Sequence, residues 1–188
     1  MSVTILGVAG SLRLRSYNRA LLRAAQELVP DGMRIESFDL ALLPPYNADL
    51  EAAGLPEPVA ALKAAIRAAD GLLFATPEYN HGVPGLLKNA IDWASRASAG
   101  ERPCLNGKAA GIIGASPGMT GTARAQAQLR QAFVFTQTYP LQGPEFALGS
   151  CADKFDPELR LRDEKSREFL RRYLVRLKDW TERLRGLA

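Results

Sequence analysis

Thr-Pro-Glu-Tyr-Asn-His-Gly-Val-Pro-Gly-Leu-Leu-Lys-Asn-Ala-Ile-Asp-Trp, residues 76 to 93, follows the apolar run Gly71 to Ala75 and reads as a buried strand, a polar turn and the start of a helix. Pro77 has no amide hydrogen and keeps Thr76 extended, Gly82 and Gly85 permit close backbone approach, and Pro84 suits a first helical turn. By its own chemistry this segment is either a binding turn or a structural connection. The same strand-then-helix pattern runs through the rest of the chain, and the fold follows from it.

Upstream, Val3 to Ala9 is a continuous apolar run ending at Gly10, the pattern of a strand covered on both faces. Asn18 opens a helix in which Leu21, Leu22, Ala25, Leu28 and Val29 recur at helical spacing; Pro30-Asp31-Gly32 ends it before a second strand at Met33 to Phe38. A loop with Pro44, Pro45 and Pro56 leads to an alanine-rich helix over Glu57 to Ala69 and the third strand, Gly71 to Ala75. Downstream, Pro84 to Ser95 predicts a helix, Lys108 to Ala115 a fourth strand and Thr122 to Phe135 another helix. A fifth strand falls between Thr138 and Leu148, with Pro140 and Pro144 marking it as an edge, and a last helix runs from about Pro157 to Arg185. Five strands alternating with five helices imply one domain over residues 1 to 188, a three-layer α/β/α sandwich around a parallel sheet. In a strand order 2-1-3-4-5, the loops after the first and third strands, Gly10 to Asn18 and Thr76 to Gly82, share a crevice at the point where the order reverses.

Composition narrows the function. At 188 residues and 47% hydrophobic, the chain is long enough for a full core. Residues 156 to 188 hold ten Lys or Arg against seven Asp or Glu, so most of the net +4 lies there, interleaved with apolar residues as on a solvated helix; no nucleic-acid partner is expected. Cys104 and Cys151 form no Cys-x-x-Cys pair, and the single histidine, His81, cannot build a multi-histidine metal site, so no metal is expected. The N-terminal apolar run is too short for a membrane helix and lacks a basic region before it, which gives the expectation of a cytoplasmic protein without a membrane partner.

The first loop, Gly-Ser-Leu-Arg-Leu-Arg-Ser-Tyr-Asn at 10 to 18, has neither the dinucleotide Gly-x-Gly-x-x-Gly spacing nor a P-loop lysine. It offers the hydroxyls of Ser11 and Ser16, the Arg13 cation, the Asn18 amide and backbone N–H groups at a helix start, a set suited to a phosphomonoester. Ser16 or Asn18 as a plain helix cap is the competing reading.

Gly-Ser-Leu-Arg-x-x-Ser-x-Asn at 10 to 18, Pro-Glu-Tyr-Asn at 77 to 80 and Leu-Lys-Asn-Ala-Ile-Asp-Trp at 87 to 93 resemble the NAD(P)H-dependent FMN reductase family, which includes chromate, quinone and azo reductases. Ser-Pro-Gly-Met-Thr-Gly-Thr-Ala-Arg-Ala-Gln at 116 to 126 is similar to that family's Gly-rich loop, although Thr122 stands where a second adjacent glycine is common. The likeness covers roughly Thr4 to Phe135. It implies a flavodoxin-like fold with bound FMN: Ser11, Arg13, Ser16 and Asn18 on the phosphate, Leu12 and Tyr17 contributing backbone, Pro77, Glu78, Tyr79, Asn80 and His81 along the ring, and Ser116 at its far edge. No side chain is assigned a catalytic role, since hydride passes from nicotinamide to flavin without a side-chain proton donor; His81 is then a lining residue. Also implied are NADPH or NADH as co-substrate, a small-molecule electron acceptor such as a flavin, quinone, azo compound or chromate, and a homodimer or homotetramer with the Pro84 to Ser95 helix, including Asp92 and Trp93, between subunits. For Trp93 the alternative is core packing. The rival functions are a flavodoxin-like electron carrier or redox-sensing FMN protein, and a phosphoribosyl- or nucleotide-binding enzyme using the same crevice.

Overall fold

A computed structural model of the chain describes residues 2–97 and 100–186. Strand β1 (Val3–Ala9) leads into helix α1 (Tyr17–Glu27) and strand β2 (Met33–Phe38). Two helices follow, α2 (Ala48–Ala53) and α3 (Glu57–Ala68), then β3 (Gly71–Ala75) and α4 (Gly85–Ala94). The second half comprises β4 (Ala109–Ala115), α5 (Ala123–Thr136), the short strands β5 (Tyr139–Pro140) and β6 (Phe146–Leu148), and α6 (Glu164–Arg185). All strand pairs are parallel in the order β2-β1-β3-β4-β5, with β6 also on β4. The flavodoxin-like order expected from the alternation is the one observed.

The unbroken apolar strands follow from burial on both faces. Odd residues of β1, Val3 and Ile5, pack with α1 and α6, while Leu6 and Val8 pack with α3, α4 and α5. Gly111 lets α6 lie close to the sheet, because a Cβ there would stand 2.9 Å from a Leu177 methyl.

Three details depart from the expectation. The fifth strand is split: Leu141 N still donates to Ala110 O at 2.7 Å, and residues 142–145 then leave the sheet before β6 begins. Opposite that gap Ile112 lacks a strand partner on one edge, and the buried Tyr173 hydroxyl of α6 fills it, accepting from Ile112 N at 2.7 Å and donating to Ile112 O at 2.9 Å. The last helix begins at Glu164, not near Pro157: Leu159 stands at φ 60°, outside the helical region, and the Asp156 carboxylate holds Arg160 and Arg162 in a loop at 2.8 Å each. Asp163, accepting from Ser166 N at 2.8 Å, caps the true start. Helix α2 was not anticipated; Asn47 caps it by accepting from Asp49 N at 2.8 Å.

Trp93 is fully buried, its indole N–H donating to Pro44 O at 2.8 Å and its ring edge-on to Tyr46. It is core packing within this chain. Asp92 pairs with Lys88 one turn away, at 2.5 Å. Among the described residues no helix is long and apolar enough to cross a membrane, and no group of His, Cys, Asp or Glu could hold a metal ion.

Candidate active site

The carboxyl ends of β1, β3 and β4 open onto one crevice. Ser11, Arg13, Ser16, Tyr17, Asn18, Pro77, Glu78, Tyr79, Ala115, Ser116 and Pro117 line it. Nine of the twelve residues singled out by sequence therefore meet there, while Leu12, Asn80 and His81 are exposed residues outside that lining. A separate, wholly apolar hollow beneath α3 and α4, bordered by Leu62, Phe74 and Ile91, is a gap in core packing with no polar group to read a ligand.

The first loop is built around two serines. Ser16 is the N-cap of α1; its Oγ accepts from Asn18 N at 3.2 Å and Arg19 N at 3.3 Å. Its hydroxyl hydrogen is still free to donate, so capping and phosphate binding are compatible. The N–H groups of Leu12 and Tyr17 have no hydrogen-bond partner among the described residues, and neither has the Arg13 guanidinium. Tyr17 is fixed by its ring, tilted against Phe155 with centroids 5.3 Å apart. A cation and several donors facing a hollow with no unspent carboxylate fit a phosphate dianion, adding to the positive end of α1.

Asn18 has another task. Its buried carboxamide donates to Ala115 O and accepts from Ala115 N, both at 2.9 Å. β3 has turned away at Pro77, so this backbone edge of β4 would otherwise be bare, and Asn18 acts as a surrogate strand residue. The sequence reading placed this amide on the phosphate; in the fold its oxygen and one Nδ2 hydrogen serve Ala115 at the end of β4, which leaves a single N–H over.

The second loop is a tight reversal. Tyr79 and Gly82 exchange N–H···O bonds of 3.1 and 3.0 Å, with Asn80 at φ 52° and His81 at φ 62°, the two left-handed central residues of a type I′ turn. The N–H groups of Asn80 and His81 have no partner among the described residues, which leaves two donors at the tip. The Tyr79 hydroxyl reaches Ser11 Oγ at 3.3 Å and bridges the first two loops. Ser116 begins the third loop, its Oγ accepting from Gly118 N at 3.1 Å.

Glu78 points its charge at α5. Oε2 accepts from Arg124 N at 2.9 Å and Ala125 N at 3.1 Å, and Oε1 meets the Arg124 guanidinium at 3.3 Å. Burial pushes the Glu78 carboxyl up, but the Ala125 N–H, the Arg124 side chain and the Arg124 N–H together outweigh it and hold the group below its ordinary value. Gln128, one turn on, accepts from Val83 N at 3.0 Å, and a Cβ at Gly82 would lie 2.9 Å from its Oε1. Arg124 and Gln128 were missed by sequence reading because two polar residues one helical turn apart look like a solvated face.

Comparison with known proteins finds relatives along nearly the whole chain. The model of the NADPH-dependent FMN reductase family matches residues 3–153. An NAD(P)H-dependent FMN reductase of Pseudomonas aeruginosa is 51% identical over 184 residues, 98% of each chain. An NAD(P)H:quinone oxidoreductase of Solanum tuberosum is 42% identical over 190 residues, covering 98% of this chain and 95% of its own. Among solved structures, the flavoenzyme NAD(P)H:(acceptor) oxidoreductase FerB of Paracoccus denitrificans superposes with a TM-score of 0.87 at 36% identity, over 96% of this chain and 98% of its own.

Proposed function

The chain belongs to the NADPH-dependent FMN reductase family, and from that membership we propose that the crevice formed by the loops after β1, β3 and β4 at the start of α1 is where it holds FMN. The protein is an oxidoreductase that uses FMN and NAD(P)H, and its electron acceptors are small molecules. When bound, FMN supplies the two-electron chemistry, taking hydride from NAD(P)H and passing reducing equivalents to an acceptor. The single observation that best supports the placement is the convergence of an unpaired Arg13, two serine hydroxyls and the Tyr17 amide at the start of α1.

In this reading the protein's own residues bind and orient. Ser11, Arg13, Ser16 and the Leu12 and Tyr17 N–H groups hold the phosphate, and Asn18 serves them by locking α1 to β4. Pro77 and Tyr79 border the ring, with the Asn80 and His81 amides as donors to its pyrimidine side, where negative charge collects on reduction. Ser116 closes the far edge. His81 takes part through its backbone, and no side chain moves a proton. A quinone is the acceptor class best supported, since several relatives are quinone reductases by name.

A homo-oligomer belongs to the same proposal, with its surface revised. The apolar stripe of α4, Leu87, Ala90, Ile91 and Ala94, is buried against this chain's own sheet. Large apolar side chains for a second copy to cover stand instead at the end of α5, where Val134 and Phe135 are 80% and 86% exposed.

The test is anaerobic: protein loaded with FMN, with NADPH or NADH added and the visible flavin absorbance followed. Prompt bleaching without any other reductase is expected. Protein that takes up FMN but needs a partner to bleach would instead be an electron carrier.

A further inference from the structure

Glu78 belongs to the ring-side turn by sequence, yet its side chain is only 8% exposed and both oxygens are spent on α5. Helix α5 needs that service. Its N-cap residue, Thr122, makes no side-chain cap bond, and the first N–H groups of any helix lack intrahelical acceptors. Glu78 thus caps α5 from another loop. Gln128 grips the other end of the turn through Val83 N. Because α5 starts where the Ser116 loop ends, these contacts tie two walls of the crevice to one rigid helix.

We propose that Glu78 is a positioning residue, not a flavin ligand: by capping α5 it fixes the Asn80 and His81 amides relative to the Ser116 edge, and so sets how strongly the site favours reduced over oxidised FMN. The proposal rests on the FMN reading above. Donors beside the ring bind it more tightly once it has gained negative charge, so a turn that has slipped loses more affinity for the reduced form than for the oxidised form. Slippage is the expected result of cutting the tie, because Asn80 and His81 are both held at positive φ, a conformation that persists only where its surroundings enforce it.

The experiment compares Glu78→Ala, Glu78→Gln, Arg124→Gln and Gln128→Ala. FMN is titrated into each apoprotein, the bound flavin is taken through a potentiometric titration, and circular dichroism confirms the fold. In Glu78→Ala, affinity for reduced FMN should fall about tenfold more than affinity for oxidised FMN, read as a two-electron midpoint potential lowered by about 30 mV. Glu78→Gln keeps an oxygen for the two amides and should restore most of the potential. Arg124→Gln removes only the guanidinium of a half-exposed pair and should stay within about threefold of wild type. Gln128→Ala should move the potential in the same direction as Glu78→Ala and serves as the test if that variant does not fold. A folded Glu78→Ala, or failing that Gln128→Ala, with unchanged potential and only a lower melting temperature would overturn the proposal. A wild-type chain that takes up no FMN would overturn the underlying reading as well.

Discussion

Replacing Asn18 by alanine separates scaffolding from ligand binding. The carboxamide serves both polar atoms of Ala115 at 2.9 Å, and Asn18 itself is 3% exposed. Asn18→Ala therefore strands one buried N–H and one buried C=O. At about 1–3 kcal/mol for each unsatisfied group, with some relief from water entering the vacated space, the loss should be about 2–4 kcal/mol. For a chain of this length that corresponds to a fall of about 4–16 °C in Tm. Urea denaturation of the apoprotein measures the first quantity and calorimetry the second, while FMN titration of the still-folded variant measures ligand affinity. Because the proposed phosphate donors are Ser11, Arg13, Ser16 and two backbone N–H groups, affinity should fall less than about tenfold, or about 1.4 kcal/mol. A variant losing less than about 1 kcal/mol of stability while FMN affinity drops about a hundredfold would show that Asn18 is chiefly a phosphate ligand, and would refute the reasoning.

Tyr173→Phe should cost about 2–5 kcal/mol in urea melts, since it orphans Ile112 N and O in the gap between β5 and β6; a cost under about 1 kcal/mol would mean that water fills the gap. Burial pushes the Cys104 thiol up and takes Cys151 to about 11, so neither should react with an aromatic disulfide at neutral pH until the protein unfolds. The stabilisation from Glu78 should be fully present above its ordinary value of 4.5 and disappear as pH falls through its lower folded-state value. The stability difference between wild type and Glu78→Gln should accordingly shrink between pH 6 and pH 3, and a difference that grows on acidification would contradict the sign.

The sheet was legible because its central strands are covered on both faces: Gly71 to Ala75 carries no polar residue and Val3 to Ala9 only Thr4, and helical spacing marks what lies between them. The two loops met because a parallel sheet with a strand-order reversal leaves them no other place. Less legible was everything supplied across the fold. Nothing in the order of residues tells that Tyr173 plugs a gap beside Ile112, that Asn18 completes the edge of β4, or that Glu78 caps a helix 46 positions away. Each is a polar side chain meeting backbone that the topology, not the local pattern, leaves bare. The displaced start of α6 has the same origin, since Asp156 and its two arginines outcompete a helical turn only when all three are brought together.

A crystal structure of the chain with FMN bound tests the placement most directly. The flavin phosphate should lie within hydrogen-bond distance of Ser11, Arg13 and Ser16 at the start of α1, with the ring against the turn from Pro77 to Gly82 and the Asn80 or His81 N–H toward its pyrimidine side. Flavin density anywhere else on the fold, or in the crevice with the ring at α1 and the phosphate at the turn, would contradict it.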